Sequence, residues 1–497
     1  MGVIQRQSIK QSIINYLAVG IGAISTIFIY PLDKEAYGLA RFIIDTSLMI
    51  APFILMGFSA VTIRFFPQFK DEEKGHSGFL FFLVMAVSAG ALIFILLSWL
   101  FKDQFYSIYA EDPPIYQQFL PYLVPLAILI AFQQLFFNYS SNFQRIAIPA
   151  VFQNLIKVSL PILILLFVWK TIPIEQVVNG ILGTYILALG GLVLYVCWLG
   201  QLKLKPDFSL LKQDKLKEMR VFAVYSLFGS IGSVLAFHID SFMVSTLLDF
   251  QNNGAFNISV FIANVIAIPT AAVGQISGPI ITDSLQRNDL DHVKKLYQGT
   301  SINLLIVGLL LFVGIMASVE DLFSLMPKSD ELQGGVMIVF LIGLAKIIDM
   351  GTSINNQIIG YSKYYRFGFY AIVLLAVFNV GANLILIPKY QIVGAAAATL
   401  MSLSLYNLVK MVFIQWRFKM QPFTWSTLWI LLIAGAVYLI AILIPSTRIA
   451  FLDIVIKSLF IGVAFIGAVL GFNISVEFKG FLLGLMGNFR QFRKGKK

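Results

Sequence analysis

The feature that most constrains this chain is a succession of apolar runs, each long enough to cross a bilayer and each ended by short polar punctuation. A spanning helix needs roughly 20 predominantly apolar residues. The runs place spans near 11–30, 38–63, 77–101, 116–137, 146–169, 176–199, 221–247, 255–281, 298–318, 334–358, 367–387, 391–414, 425–444 and 453–473. Only 12% of the residues are charged, against about 25% in a soluble domain. The predicted fold class is therefore an all-α membrane protein with fourteen transmembrane helices. The first run lacks a small-residue cleavage site and flows into the next span, so it reads as a retained helix.

Lysine and arginine set the orientation, because cytoplasmic connections carry an excess of them. With the N-terminus inside, 25 of the 36 basic residues fall in cytoplasmic segments. The opposite side holds Lys34, Lys102, Lys170, Lys328, Lys389 and Arg448, and five more lie inside spans. Both termini are thus expected in the cytoplasm. This bias accounts for the net charge of +11 without nucleic acid. The single cysteine, Cys197, excludes a disulfide framework, and no metal-ligand cluster or phosphate-cradling loop is present.

The longest cytoplasmic connection divides the chain into residues 1–200, with spans 1–6, and 221–415, with spans 7–12. Residues 201–220 form a basic amphipathic linker suited to anionic membrane lipids or simply a solvated segment. Residues 416–497 hold two further spans and a basic tail. The two halves carry a short repeat: Leu32-Asp33 followed by Gly38 after the first span, and Leu248-Asp249 followed by Gly254 after the seventh. Pro52 and Pro269 then follow, 14 and 15 residues after their glycines. Both halves begin on the same side, so the repeat is parallel, an arrangement common in transporters.

These motifs resemble a known group. LDKEAYGLARF and IRFFPQF bracket the second span, HIDSFMV lies in the seventh, VFIANVIAIPTAAVGQISGPII runs through the eighth, and LILIPKYQIVGAAAAT joins the eleventh and twelfth. In this order they resemble the polysaccharide transporter branch of the multidrug, oligosaccharidyl-lipid and polysaccharide flippase superfamily. The resemblance implies two six-helix lobes in a MATE-like V shape, plus two C-terminal helices, around a cavity that opens alternately to each side. It also implies a non-enzymatic flippase of undecaprenyl-pyrophosphate-linked oligosaccharides in the bacterial inner membrane. Its expected partners are the lipid-linked oligosaccharide and glycan polymerase machinery, with the protein itself a monomer. It needs no cofactor beyond a coupling Na+ or H+.

Ionisable residues within membrane spans usually face a bundle interior or a water-filled cavity, and they mark function. Arg41 and Asp45, one turn apart, read either as an intrahelical ion pair or as a cation left partly open to a pyrophosphate, which an arginine fork suits well. Lys157 and Lys346 are candidate phosphate contacts; the alternatives are snorkelling for Lys157 and a local pair with Asp349 for Lys346. Asp45, Asp240 and Asp349 are candidates for gating or ion coupling, with Asp240 expected to meet Arg41 or Asp45. His238, two residues from Asp240, is expected to pack rather than switch. Lys410 and Lys457, near span ends, are expected to snorkel. Asn138, Asn142, Asn355 and Asn356 can either contact sugar hydroxyls or tie helices together.

Two rivals share the fold class: a cation-coupled multidrug exporter of the MATE type and a flippase of peptidoglycan lipid precursors. The first span carries no acid to bind a cationic drug. An enzyme acting on lipid-linked glycans would need a large external loop with an acid–base constellation, and the external connections near 101–115 and 319–333 are short and lack histidine.

Overall fold

The computed structural model describes residues 3–71, 75–107, 114–143, 145–204, 213–328, 332, 334–475 and 477–480. Among them the chain is helical throughout, with no strand. It divides into two compact units, Met1–Asn257 and Ile258–Lys497. The boundary falls inside a helix well past the 201–220 connection. Of that connection, 205–212 and the tail from 481 lie outside the described residues.

The first unit holds α1 (Val3–Phe28), α2 (Lys34–Leu55), α3 (Phe58–Phe69), α4 (Phe79–Leu100), α5 (Lys102–Ser107), α6 (Pro114–Phe119), α7 (Leu123–Ser141), α8 (Ala147–Val168), α9 (Ile174–Trp198), α10 (Gln213–Leu247) and most of α11 (Phe250–Asn264). Helix α2 is its central element. Asp33 caps it by accepting from the Ala36 amide at 2.9 Å, which satisfies one of the N–H groups a helix start leaves open. It ends at Met56 and Gly57, both left-handed (φ 45 and 78), after Pro52 has already loosened the last turns. Helix α3 resumes at Phe58.

The repeat noted in the sequence closes on itself here. Asp249 caps α11 by accepting from the Asn252 amide at 2.6 Å, as Asp33 caps α2. A Cβ on Gly38 would overlap the Phe250 carbonyl, and one on Gly254 would overlap the Lys34 carbonyl. In the repeat, Gly38 corresponds to Gly254 and Lys34 to Phe250, so the contact is reciprocal. Asn253 donates to the Gly38 carbonyl at 2.9 Å across the same seam. Small residues of this kind are what let membrane helices approach backbone to backbone.

The second unit holds the rest of α11, then α12 (Ile268–Gln286), α13 (Leu290–Ser324), α14 (Gly335–Thr352), α15 (Asn355–Tyr361), α16 (Tyr365–Phe418), α17 (Trp425–Ala441) and α18 (Ala450–Gly471). The last two helices dock on α13: Ile430, Val437, Ile461 and Phe465 are buried with Leu305 and Leu309 in one apolar core. Lys457, expected to snorkel, instead pairs with Asp321 on α13 at 2.6 Å, because α18 lies along the helix that carries the carboxylate.

Eleven helices among the described residues are long and apolar enough to span a membrane. Helix α16 covers two of the runs read from the sequence and turns at Gln391 (φ 52, ψ −136), just after Pro388. Helix α17 has 17 residues, short of a full crossing by that measure.

Candidate functional site

In the first unit, the charges of α2 meet α10. Arg41 Nη2 lies 2.8 Å from Asp45 Oδ1, and His238 Nδ1 lies 2.9 Å from the same oxygen. Asp45 has no exposed surface, whereas Arg41 and His238 keep 30% and 25% of their side chains exposed. Helix periodicity places Arg41 one turn before Asp45 on a shared face, and α10 supplies the third member. His238, expected to pack, is the α10 residue that bonds Asp45. Residues two apart on a helix point to nearly opposite sides, and it is position 238 that faces Asp45. Asp240 is buried and engaged in its own interaction. The sequence held a signal for this: His238 and Ser241 are three apart on one face of α10, and Ser241 joins Asn253 at 3.0 Å beside the glycine seam.

Two polar atoms of the cluster lack a hydrogen-bond partner among the described residues: Arg41 Nε and Asp45 Oδ2. The guanidinium holds its carboxylate through Nη2, its Nε is buried, and 30% of the side chain remains exposed. A guanidinium fork of this kind suits an oxyanion, which would compete with Asp45 for its donors. Tyr30 and Tyr37, both buried, stack at 3.9 Å.

Lys157, on α8, is exposed and has no ion pair among the described residues. Lys346, on α14, is half-buried and has a partner of its own. Asp349 accepts from Asn407 at 3.0 Å. The two lysines belong to different units.

The asparagines are all engaged between helices. Asn138 donates to Ser59 Oγ at 2.5 Å, and Asn142 to the Thr62 carbonyl at 3.1 Å, tying α7 to α3. Asn355 donates to Asn407 at 3.2 Å. Asn355 and Asn356 both accept from Lys410, at 3.1 and 3.0 Å. Lys410 does not snorkel as expected. It is 1% exposed, and its ammonium lies 3.6 Å from the centre of the Tyr406 ring. Two amide oxygens and an aromatic face replace the water the cation gives up.

A family model described as polysaccharide biosynthesis protein matches residues 8–285. The probable low-salt glycan biosynthesis flippase Agl15 of Haloferax volcanii is 22% identical over 254 residues, 50% of this chain and 53% of that protein. The chain thus spans about half the length of the curated relative it matches. Lipid II flippase MurJ, in an inward closed conformation, superposes with a TM-score of 0.74 at 14% identity, over 93% of this chain and 98% of that one. An inward-facing multidrug resistance transporter of the MATE family gives 0.61 at 13% identity, over 84% and 98%. At such identities the likeness is one of fold. The family match is different in kind: it covers more than half of the chain, including the capped α2, its break and the Arg41–Asp45–His238 cluster, and it places the chain in the polysaccharide biosynthesis protein family.

Proposed function

We propose that this protein is a flippase that carries a lipid-linked oligosaccharide, joined to its polyprenyl carrier through a diphosphate, across a bacterial inner membrane. The observation that carries this reading is the Arg41 guanidinium, a cation inside a span that is paired with Asp45 through Nη2 and keeps 30% of its side chain exposed. A diphosphate and its sugars cannot cross hydrocarbon alone, since desolvating charge and hydroxyls costs far more than thermal energy supplies. A fixed cation lowers that cost at the headgroup while the polyprenyl tail stays in lipid. Phosphate arriving at Arg41 would loosen its hold on Asp45, leaving a carboxylate to take up H+ or Na+. Coupling to an ion gradient would act through that exchange.

A drug exporter of the MATE type fits less well. Its acid would have to attract a cation, and Asp45 already faces Arg41 and His238.

The test is accumulation. Deleting the gene should trap lipid-linked oligosaccharide in the inner leaflet, and the intact gene should clear it. Arg41→Gln should clear it about tenfold more slowly, the scale of one charge-assisted interaction. Normal glycan export in the deletion strain would overturn the reading.

A further inference from the structure

The break between α2 and α3 opens onto a crevice of about 460 Å³ within the first unit. Its walls come from the break itself (Gly57, Ser59), from Gln134 on α7, and from Ser226, Gly229 and Ser230 on α10. Counting from Arg41, Pro52 on its rim lies about 17 Å along α2 at 1.5 Å per residue, well inside a hydrocarbon core about 30 Å thick. Irregular backbone at that depth is tolerated where it is buried in protein or lines a polar cavity, and discontinuous helices of this kind build substrate sites in transporters.

The polar groups here are poised for a ligand. Serine and threonine in membrane helices commonly close onto the carbonyl one turn back, as Ser98, Thr62 and Ser245 do in this chain. Ser226 and Ser230, one turn apart on α10, have no such bond among the described residues. Gln134 donates through Nε2 to Asn138 at 3.1 Å, which leaves its Oε1 to accept. Ser59 Oγ accepts from Asn138 and keeps its own hydrogen to give. A Cβ on Gly229 would meet nothing within 4 Å, so a ring has room to approach the α10 backbone there.

The lining contains no Lys, Arg, Asp, Glu or His. A phosphate or a cationic drug would find no counter-charge, whereas a neutral polyol would find donors and acceptors. The size lies within the range of small-molecule pockets. Arg41, Asp45, Leu48, Pro52 and Leu55 recur at helical spacing, so the charge cluster and the crevice occupy one stripe of α2. The geometry points to a sugar subsite: the crevice takes hexose rings of the glycan, with Ser226, Ser230 and Gln134 as the hydroxyl-reading residues. This rests on the flippase reading and adds where the sugars sit. It moves the sugar contacts away from Asn138 and Asn142, whose amides are spent on α3.

The experiment uses full-length protein in nanodiscs and two probes, farnesyl diphosphate and farnesyl-diphosphate-linked N-acetylglucosamine, with binding read by intrinsic tryptophan fluorescence. The native protein should bind both probes, the sugar-bearing one more tightly. Gln134→Leu combined with Ser226→Ala and Ser230→Ala should weaken the sugar-bearing probe about tenfold, while Arg41→Gln weakens both. Should the native protein ignore bare farnesyl diphosphate, the flippase reading itself falls. Equal affinity of the native protein for the two probes, or a triple variant that keeps the sugar preference, overturns only the subsite. A second measurement avoids the folding of the triple variant: in a Cys197→Ser background, Ser226→Cys should be shielded from N-ethylmaleimide by the sugar-bearing probe and not by the bare one. Unchanged labelling at saturation overturns the subsite.

Discussion

Asp45 is a carboxylate without exposed surface at a depth where isolated charge is not tolerated. It persists because Arg41 and His238 converge on one of its oxygens. Breaking a buried pair from one side strands the other charge, typically at 3–5 kcal/mol. Arg41 keeps partial exposure, so Asp45→Asn should cost about 2 kcal/mol, read as a lower thermal midpoint in detergent. Arg41→Met with Asp45→Leu should cost less than the two single changes added together, since members of one network couple. Strict additivity would mean that the pair contributes nothing as a pair. At this scale the sequence was readable where partners lie a turn apart, as Arg41 and Asp45 do. It was not readable where partners come from elsewhere in the chain. His238 lies 193 residues from Asp45, and Lys410 finds Asn355 and Asn356 more than fifty residues away. Proximity of Lys410 to a span end suggested snorkelling, yet the Asn355-Asn356 pair and Tyr406, one turn before Lys410, were the available sign of a built receptor.

Helix ends explain more of this molecule than helix middles. The Asp33 and Asp249 caps start α2 and α11 in register, and each brings its glycine against the other helix's carbonyl. Alanine is a better helix former than glycine by about 1 kcal/mol, so Gly38→Ala on an isolated helix would stabilise. Here the overlap is with backbone, which cannot rotate away as a side chain can, and the clash should win. Gly38→Ala and Gly254→Ala should each lower stability by about 2 kcal/mol, within the range for overpacking. Their combination should cost less than the sum, since the first change already parts the seam. Thermal unfolding of the three variants checks this, and a neutral single variant would show that the helices have slack. The motif was visible in the sequence as a repeat. What it does was not, because a local pattern does not say that its two copies touch.

Over the whole chain, the distribution of basic residues makes the strongest remaining claim. Apolar runs establish that helices cross, but they are indifferent to direction; the excess of Lys and Arg on one side is what fixes it. On the fourteen-span reading, 25 of the 36 basic residues share one side, and they would be costly to translocate against a membrane potential worth about 2.3 kcal/mol per charge per 100 mV. Reversal would also move Arg41, the cation proposed to meet the diphosphate, from one leaflet's end of α2 to the other's, so orientation bears directly on the direction of transport. In a Cys197→Ser background, Lys170→Cys, between α8 and α9, and Arg448→Cys, between α17 and α18, should react with a membrane-impermeant maleimide on intact cells. Lys203→Cys, after α9, and Lys363→Cys, between α15 and α16, should react only once the membrane is opened. The opposite pattern would place both termini outside and Arg41 near the cytoplasmic end of α2.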